Sequence, residues 1–149
     1  MSTYNIGDDM KVVDVLDYAS GTADRTGAVV DTDGFEGVCF VVKFAAIAAG
    51  GTNSIKARHG DVSNGSAITD AADVAGTSQT IADDDDNEVR YIDIKRPLKR
   101  YATLYVDKDT TNACAESAVA ILYGAAKKPT TKESDVAGES FVSPASGTA

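Results

Sequence analysis

The run from Glu88 to Asp107, EVRYIDIKRPLKRYATLYVD, limits what this chain can fold into more than any other stretch. Both halves are crowded with β-branched and aromatic residues, which suit a pleated, half-buried surface. Pro97 carries no N–H to give to a ladder, so it belongs at a corner between two strands. In the second half Ala102, Leu104 and Val106 share one parity, and Tyr101, Thr103 and Tyr105 share the other. Alternation with a period of two sends these sets to opposite faces of a sheet. The stretch therefore predicts two strands meeting at a basic corner, and the rest of the chain must supply their partners.

Other segments read the same way. Met10 to Tyr18 predicts a strand with Met10, Val12 and Leu16 set against Lys11, Asp14 and Asp17. Ala28 to Asp31 predicts a short strand, closed by the turn signal Asp33-Gly34. Phe35 to Ala46 is the most apolar strand, with Val38, Phe40, Val42 and Phe44 on one parity and Cys39 and Val41 on the other. Both of its faces are expected to be covered, which places it centrally in a sheet. Asn53 to Asp61 predicts a strand with Ile55 and Ala57 inward and Lys56 and Arg58 outward. Ser117 to Tyr123 puts Val119, Ile121 and Tyr123 on one face. Val62 to Ala82 reads as an extended surface loop with one short strand.

Seven to nine short strands, separated by turn signals and without a long helix, predict an all-β fold. Irregular strand spacing favours a β-sandwich of the jelly-roll type over an up-and-down barrel. The expected organisation is an N-terminal arm over residues 1–9, a sandwich domain over 10–123 and an extended C-terminal tail over 124–149. In the tail, Phe141 and Val142 are the only adjacent apolar pair suited to anchoring it on a neighbouring subunit.

A net charge of −9 argues against a nucleic-acid partner, whose phosphates require a basic footprint. It argues equally against an anionic membrane surface. No apolar run reaches the ~18 residues of a membrane span, and the polar start shows no signal peptide. The hydrophobic share leans on alanine, and there is no tryptophan. This predicts a modest core, supported by association. Cys39, inside an apolar run, reads as a buried thiol. Cys114, in a polar connection, reads as exposed, and the two are expected to stay reduced.

A search for chemistry yields contact residues instead. The only histidine, His59, lacks the companions of a metal site or a nucleophile motif, and reads as a solvent-facing strand residue. Four consecutive aspartates, Asp83, Asp84, Asp85 and Asp86, lack the spacing and turn glycine of a calcium loop. They read as a solvated acidic run able to dock on a basic partner. Lys95, Arg96, Lys99 and Arg100 form the one basic cluster, and can pair with acidic neighbours, including those of a second copy. The expectation is a non-enzyme without cofactor or metal. Its contacts fall to the acidic run, to Arg96, Lys99 and Arg100, and to Phe141 and Val142.

Three stretches taken together, IDIKRPLKRYATLYVD (92–107), AVAILYGAAKKP (118–129) and SPASGTA (143–149), carry a resemblance. DYASGTADRTGAVVDT (17–32), followed by GFEGVCFVVKF, adds to it. The combination resembles the capsid decoration, or cement, proteins of tailed bacteriophages. The resemblance implies a jelly-roll sandwich that assembles as a dimer or trimer on the outer capsid surface of the virion. There it would bridge adjacent major capsid proteins, having been assembled in the host cytoplasm. Two alternatives stay open: a neck, tail or baseplate component, and a carbohydrate-binding sandwich using Tyr91, Tyr101, Tyr105 and Tyr123.

Overall fold

A computed structural model describes residues 5–140 and 146–147. One helical turn, α1 (Ile6–Asp9), is capped by the Asn5 side chain, which accepts from the Gly7 amide. Ten strands follow: β1 (Lys11–Gly21), β2 (Arg25–Thr26), β3 (Val30–Asp31), β4 (Gly37–Ile47), β5 (Asn53–Gly60), β6 (Ala72–Asp73), β7 (Gln79–Ile81), β8 (Val89–Lys95), β9 (Tyr101–Asp107) and β10 (Cys114–Tyr123).

The pairing scheme identifies the architecture. β1 pairs with β10, β2 and β3 both pair with β9, β4 pairs with β8, and β5 pairs with β6 and β7. If the interrupted β2–β3 and β6–β7 each fill one strand position, the chain is a long antiparallel hairpin of eight positions. Its first position pairs with its last, the second with the seventh, the third with the sixth and the fourth with the fifth. Pairings of β10 with β4 and of β9 with β5 roll this hairpin into two sheets. One sheet has the order β1-β10-β4-β8, the other β2-β9-β5-β6, with β3 on β9 and β7 on β5. The result is a jelly roll, an all-β sandwich.

The alternating sets separate as expected in β5 and β9, while in β10 the set Val119, Ile121 and Tyr123 faces outward and the residues between them face in. Val38, Phe40, Val42 and Phe44 of β4 are buried against Ala118, Ala120 and Leu122 of β10 in one sheet. Ile55 and Ala57 of β5 and Ala102, Leu104 and Val106 of β9 face them from the other. Ala120 lies directly beside Phe40 in the register, so a small side chain leaves room for a ring. Each buried valine, leucine, isoleucine or phenylalanine contributes about 1.5–3 kcal/mol. The corner at Pro97 carries the chain from β8 in one sheet to β9 in the other.

Four local readings are corrected. In β1 the register shifts on either side of Leu16, so the alternation is broken. Val13 and Val15 join the core with Leu16, while Val12 stays half-exposed. In β4 only one face is covered by the opposite sheet; Cys39 and Val41 are partly open and Lys43 is exposed. The cysteines exchange roles: Cys114 is buried, Cys39 is half-buried, and both are free. The reason is parity, since Cys114 begins β10 on the inward side and Cys39 lies on the outward side of β4. His59 is half-buried near the end of β5, beside Ala72 of β6 and Ala102 of β9.

The two ends of the chain are stitched together. Thr130 donates its amide to Asp8 O at 2.9 Å and its hydroxyl to Met10 O at 2.8 Å. Lys128 pairs with Asp9 at 2.9 Å, and Lys11 with Glu133 at 2.6 Å. The segment from Gly124 to Ser140 thus runs over the start of β1 without strand or helix of its own.

Candidate contact surface

The outward faces of the two sheets differ sharply. On β5 and β9, Lys56 and Arg58 stack over the Tyr105 ring at 5.2 and 5.3 Å, and both pair with Asp73 of β6. Tyr105 donates its hydroxyl to Asp24 at 2.8 Å. Thr103, though of outward parity, is covered by the chain before β3 and donates to Gly27 O at 2.7 Å. This face is closed by its own charges and hydrogen bonds.

The outward face of β1-β10-β4-β8 carries an apolar patch bordered by a few charges. Across the strands its rows read Val12, Ile121, Cys39, Asp93; then Asp14, Val119, Val41, Tyr91; then Ser117, Lys43, Val89 on the last three strands. Tyr91 is 65% exposed, Val89 57%, and Tyr18, from the end of β1, 68%. Tyr18, Val41, Val89 and Val119, with Leu16 beneath, line a shallow depression of about 310 Å³. Scattered exposed hydrophobics are ordinary, but a contiguous patch marks a surface that meets something. At the opposite end of this face Tyr123 donates to Asp93 at 2.6 Å. Burial and that carboxylate push the Tyr123 phenol well above its usual range.

Most of the expected contact residues that are described are already engaged. Asp86 accepts from the Ile47 amide and Asp83 from the Gly50 amide, each at 2.6 Å. Asp85 accepts from the Ala82 amide at 2.9 Å and pairs with Arg90 at 3.0 Å. Asp83 and Asp86 therefore pin the loop to the end of β4, Asp85 braces it from within and onto β8, and Asp84 alone has no such bond among the described residues. At the basic corner, Arg100 forks onto Asp31 at 3.0 and 2.8 Å and Lys99 pairs with Asp61 at 2.7 Å. The Arg100 guanidinium holds the Asp31 carboxyl below its usual range, and Lys99 does the same for Asp61. Lys95 and Arg96 have no ion pair among the described residues. Phe141 and Val142 lie outside the described residues.

One cluster of charged groups escaped the sequence reading. Glu116, fully buried on β10, meets Arg25 of β2 at 2.8 Å and Lys108, beyond β9, at 2.7 Å. Lys108 is equally buried and also donates to Cys114 O at 2.9 Å. Asn53, at the start of β5, accepts from the Asp109 amide at 3.0 Å. The signal lay in the parities, because Glu116 continues the inward series of Ala118, Ala120 and Leu122. Lys108 likewise continues that of Ala102, Leu104 and Val106. The cluster ties the two sheets together at one end of the core, and of its three charged groups only Arg25 reaches solvent. Burial, and then the Glu116 carboxylate, push the Cys114 thiol up to about 11.

Among the described residues no three histidine, cysteine, aspartate or glutamate side chains are grouped to hold a metal ion, and no helix is long and apolar enough to cross a membrane. Neither the protein-family models nor the curated proteins contain a match to this chain.

Proposed function

We propose that this chain is a structural virion protein that decorates a tailed-phage capsid and cements adjacent major capsid proteins, acting as a homo-oligomer. The observation that carries this reading is the exposed apolar patch on the outward face of the β1-β10-β4-β8 sheet, set against an opposite face closed by its own ion pairs. Such a sandwich has one surface to bury and one to leave in water. Binding across subunit joints gains from many identical contacts, so a modest affinity per copy suffices. The resemblance to decoration proteins supplies the class of partner.

The test mixes the purified full-length chain with emptied phage heads and measures co-sedimentation and copy number. Binding at hundreds of copies per head supports decoration. A dozen or fewer copies transfers the chain to the neck, tail or baseplate. Failure to bind heads overturns the proposal. A second reading, glycan binding, draws on the exposed rings of Tyr18 and Tyr91. Binding on a glycan array, lost in Tyr91→Ala, would favour it.

A further inference from the structure

The basic corner, with most of its charges already used, still presents one unexplained feature. Leu98 is 90% exposed, more than any other large hydrophobic among the described residues. It stands at the tip of the turn joining β8 to β9. The turn is held firmly. Arg96 adopts a left-handed backbone with φ 51° and donates its amide to Glu36 O at 2.7 Å. Pro97 fixes the next φ, and Lys99 and Arg100 are tied to Asp61 and Asp31. A leucine held out in water on a braced turn is preorganised to enter a partner's pocket. Lys95 and Arg96, free of ion pairs among the described residues, precede it.

The sheet face offers the complementary shape. Its depression has an apolar floor and walls formed by Leu16, Tyr18, Val41, Val89 and Val119, with Asp14 on the rim. Asp14 is crowded by Asp17 and Asp135, and burial together with that crowding pushes its carboxyl up. Lys43 also lines the depression, but its ammonium is spent on Asn87 O. The rim thus holds more carboxylate than cation. No molecule can fill its own depression with its own knob: β8 runs from Val89, at the depression, to Lys95, at the corner, which at ~3.3 Å per residue separates them by ~20 Å.

We propose that copies of this chain associate knob into hole: Leu98 of one copy seats in the depression between Tyr18, Val41, Val89 and Val119 of the next, with Lys95 and Arg96 meeting the Asp14–Asp17 rim. The contact is between two different patches, so each copy gives one knob and receives another, and the oligomer closes when the rotation does. The proposal rests on reading the sheet face as a contact surface, and it names a second copy as what covers that depression.

The experiment is light scattering after gel filtration, over a dilution series of the full chain, with circular dichroism to verify folding. Leu98→Asp weakens self-association about ten- to hundredfold, the range expected for one buried leucine. Val119→Asp, with Val89→Asp as a second choice, does the same from the other side. The decisive step mixes the two: a Leu98→Asp copy keeps its hole and a Val119→Asp copy keeps its knob, so together they form heterodimers that neither forms alone. Arg96→Glu and Asp14→Lys each weaken assembly, and the double variant restores it. A wild-type chain that stays monomeric, or an oligomer indifferent to Leu98→Asp, overturns the inference. Head binding separates the two proposals: a monomer that coats heads retains capsid decoration, and an oligomer that ignores them retains the knob-into-hole contact alone.

Discussion

Glu116→Gln removes one charge from the buried cluster and almost nothing else. The side chain keeps its size, and the amide can still accept from one neighbour. Lys108, with its side chain fully out of solvent, then carries an ammonium whose counter-charge, 2.7 Å away, has gone. Arg25 is 22% exposed and can turn toward water, so its share is discounted. Breaking a buried pair by removing one partner costs about 3–5 kcal/mol, because the remaining charge stays desolvated. At about 4 °C per kcal/mol for a domain of this size, Tm falls by about 12–20 °C. The assay is urea unfolding followed by far-ultraviolet dichroism, with tyrosine fluorescence as second probe since the chain has six tyrosines and no tryptophan. The companion variant, Lys108→Met with Glu116→Leu, replaces both charges by apolar groups, and is expected to lie within about 2 kcal/mol of the native chain. If Glu116→Gln costs less than about 1 kcal/mol, or the double variant costs as much as the single, the argument from desolvation is wrong.

Other expectations follow from the same geometry. Asp86→Ala deprives the Ile47 amide of its acceptor and should cost about 1–2 kcal/mol, whereas Asp84→Ala, which breaks no bond, should be silent; equal losses in urea titrations would contradict this. At pH 8.5 iodoacetamide should alkylate Cys39 in the native protein and reach Cys114 only after unfolding, as peptide mass mapping would reveal. The raised Cys114 thiol contributes stability that is complete below the unfolded thiol range and is lost as pH rises through about 11. In acid the sign reverses for Asp24, Asp31, Asp61, Asp70, Asp73 and Asp109, whose carboxyls are held low by backbone amides and cations. Their contribution is full above the ordinary aspartate range and lost as pH falls through their folded values, so stability should hold to about pH 5 and decline below about pH 4. Asp14 is raised instead, so Asp14→Asn should stabilise the chain at pH 7 and leave it unchanged at pH 3, measured by thermal unfolding at both.

Alternation made the strands legible. From Tyr101 to Asp107 the aliphatic residues fall on every second position, and the sheet geometry admits one way of burying them, whereas from Phe35 to Ala46 both parities are apolar and the sequence did not choose between them. The same rule failed in β1, where bulges on either side of Leu16 shift the phase without any glycine or proline to announce them. It was under-used at Glu116 and Lys108, whose charge argued for solvent while their parity pointed inward. A buried charge is tolerable only when its partners converge, and those partners sit far apart in the chain: Arg25 is 91 residues from Glu116.

The candidate contact residues show the same division. Composition and charge marked the acidic run and the basic corner as surface features, which they are. Which of their charges remain free depends on distant segments. Asp83 and Asp86 are absorbed by amides near the end of β4, and Lys99 and Arg100 by Asp61 and Asp31, leaving Lys95, Arg96 and the bare Leu98.

By itself the sequence determined the fold class, the grouping of residues by face in several strands and the corner at Pro97, because these depend on local conformational preference and a two-residue period. Only the tertiary structure decided the jelly-roll pairing, the contrast between the two outward faces and the buried Arg25–Glu116–Lys108 cluster. Each of these rests on which distant segments come to lie side by side, and a one-dimensional pattern carries no record of that.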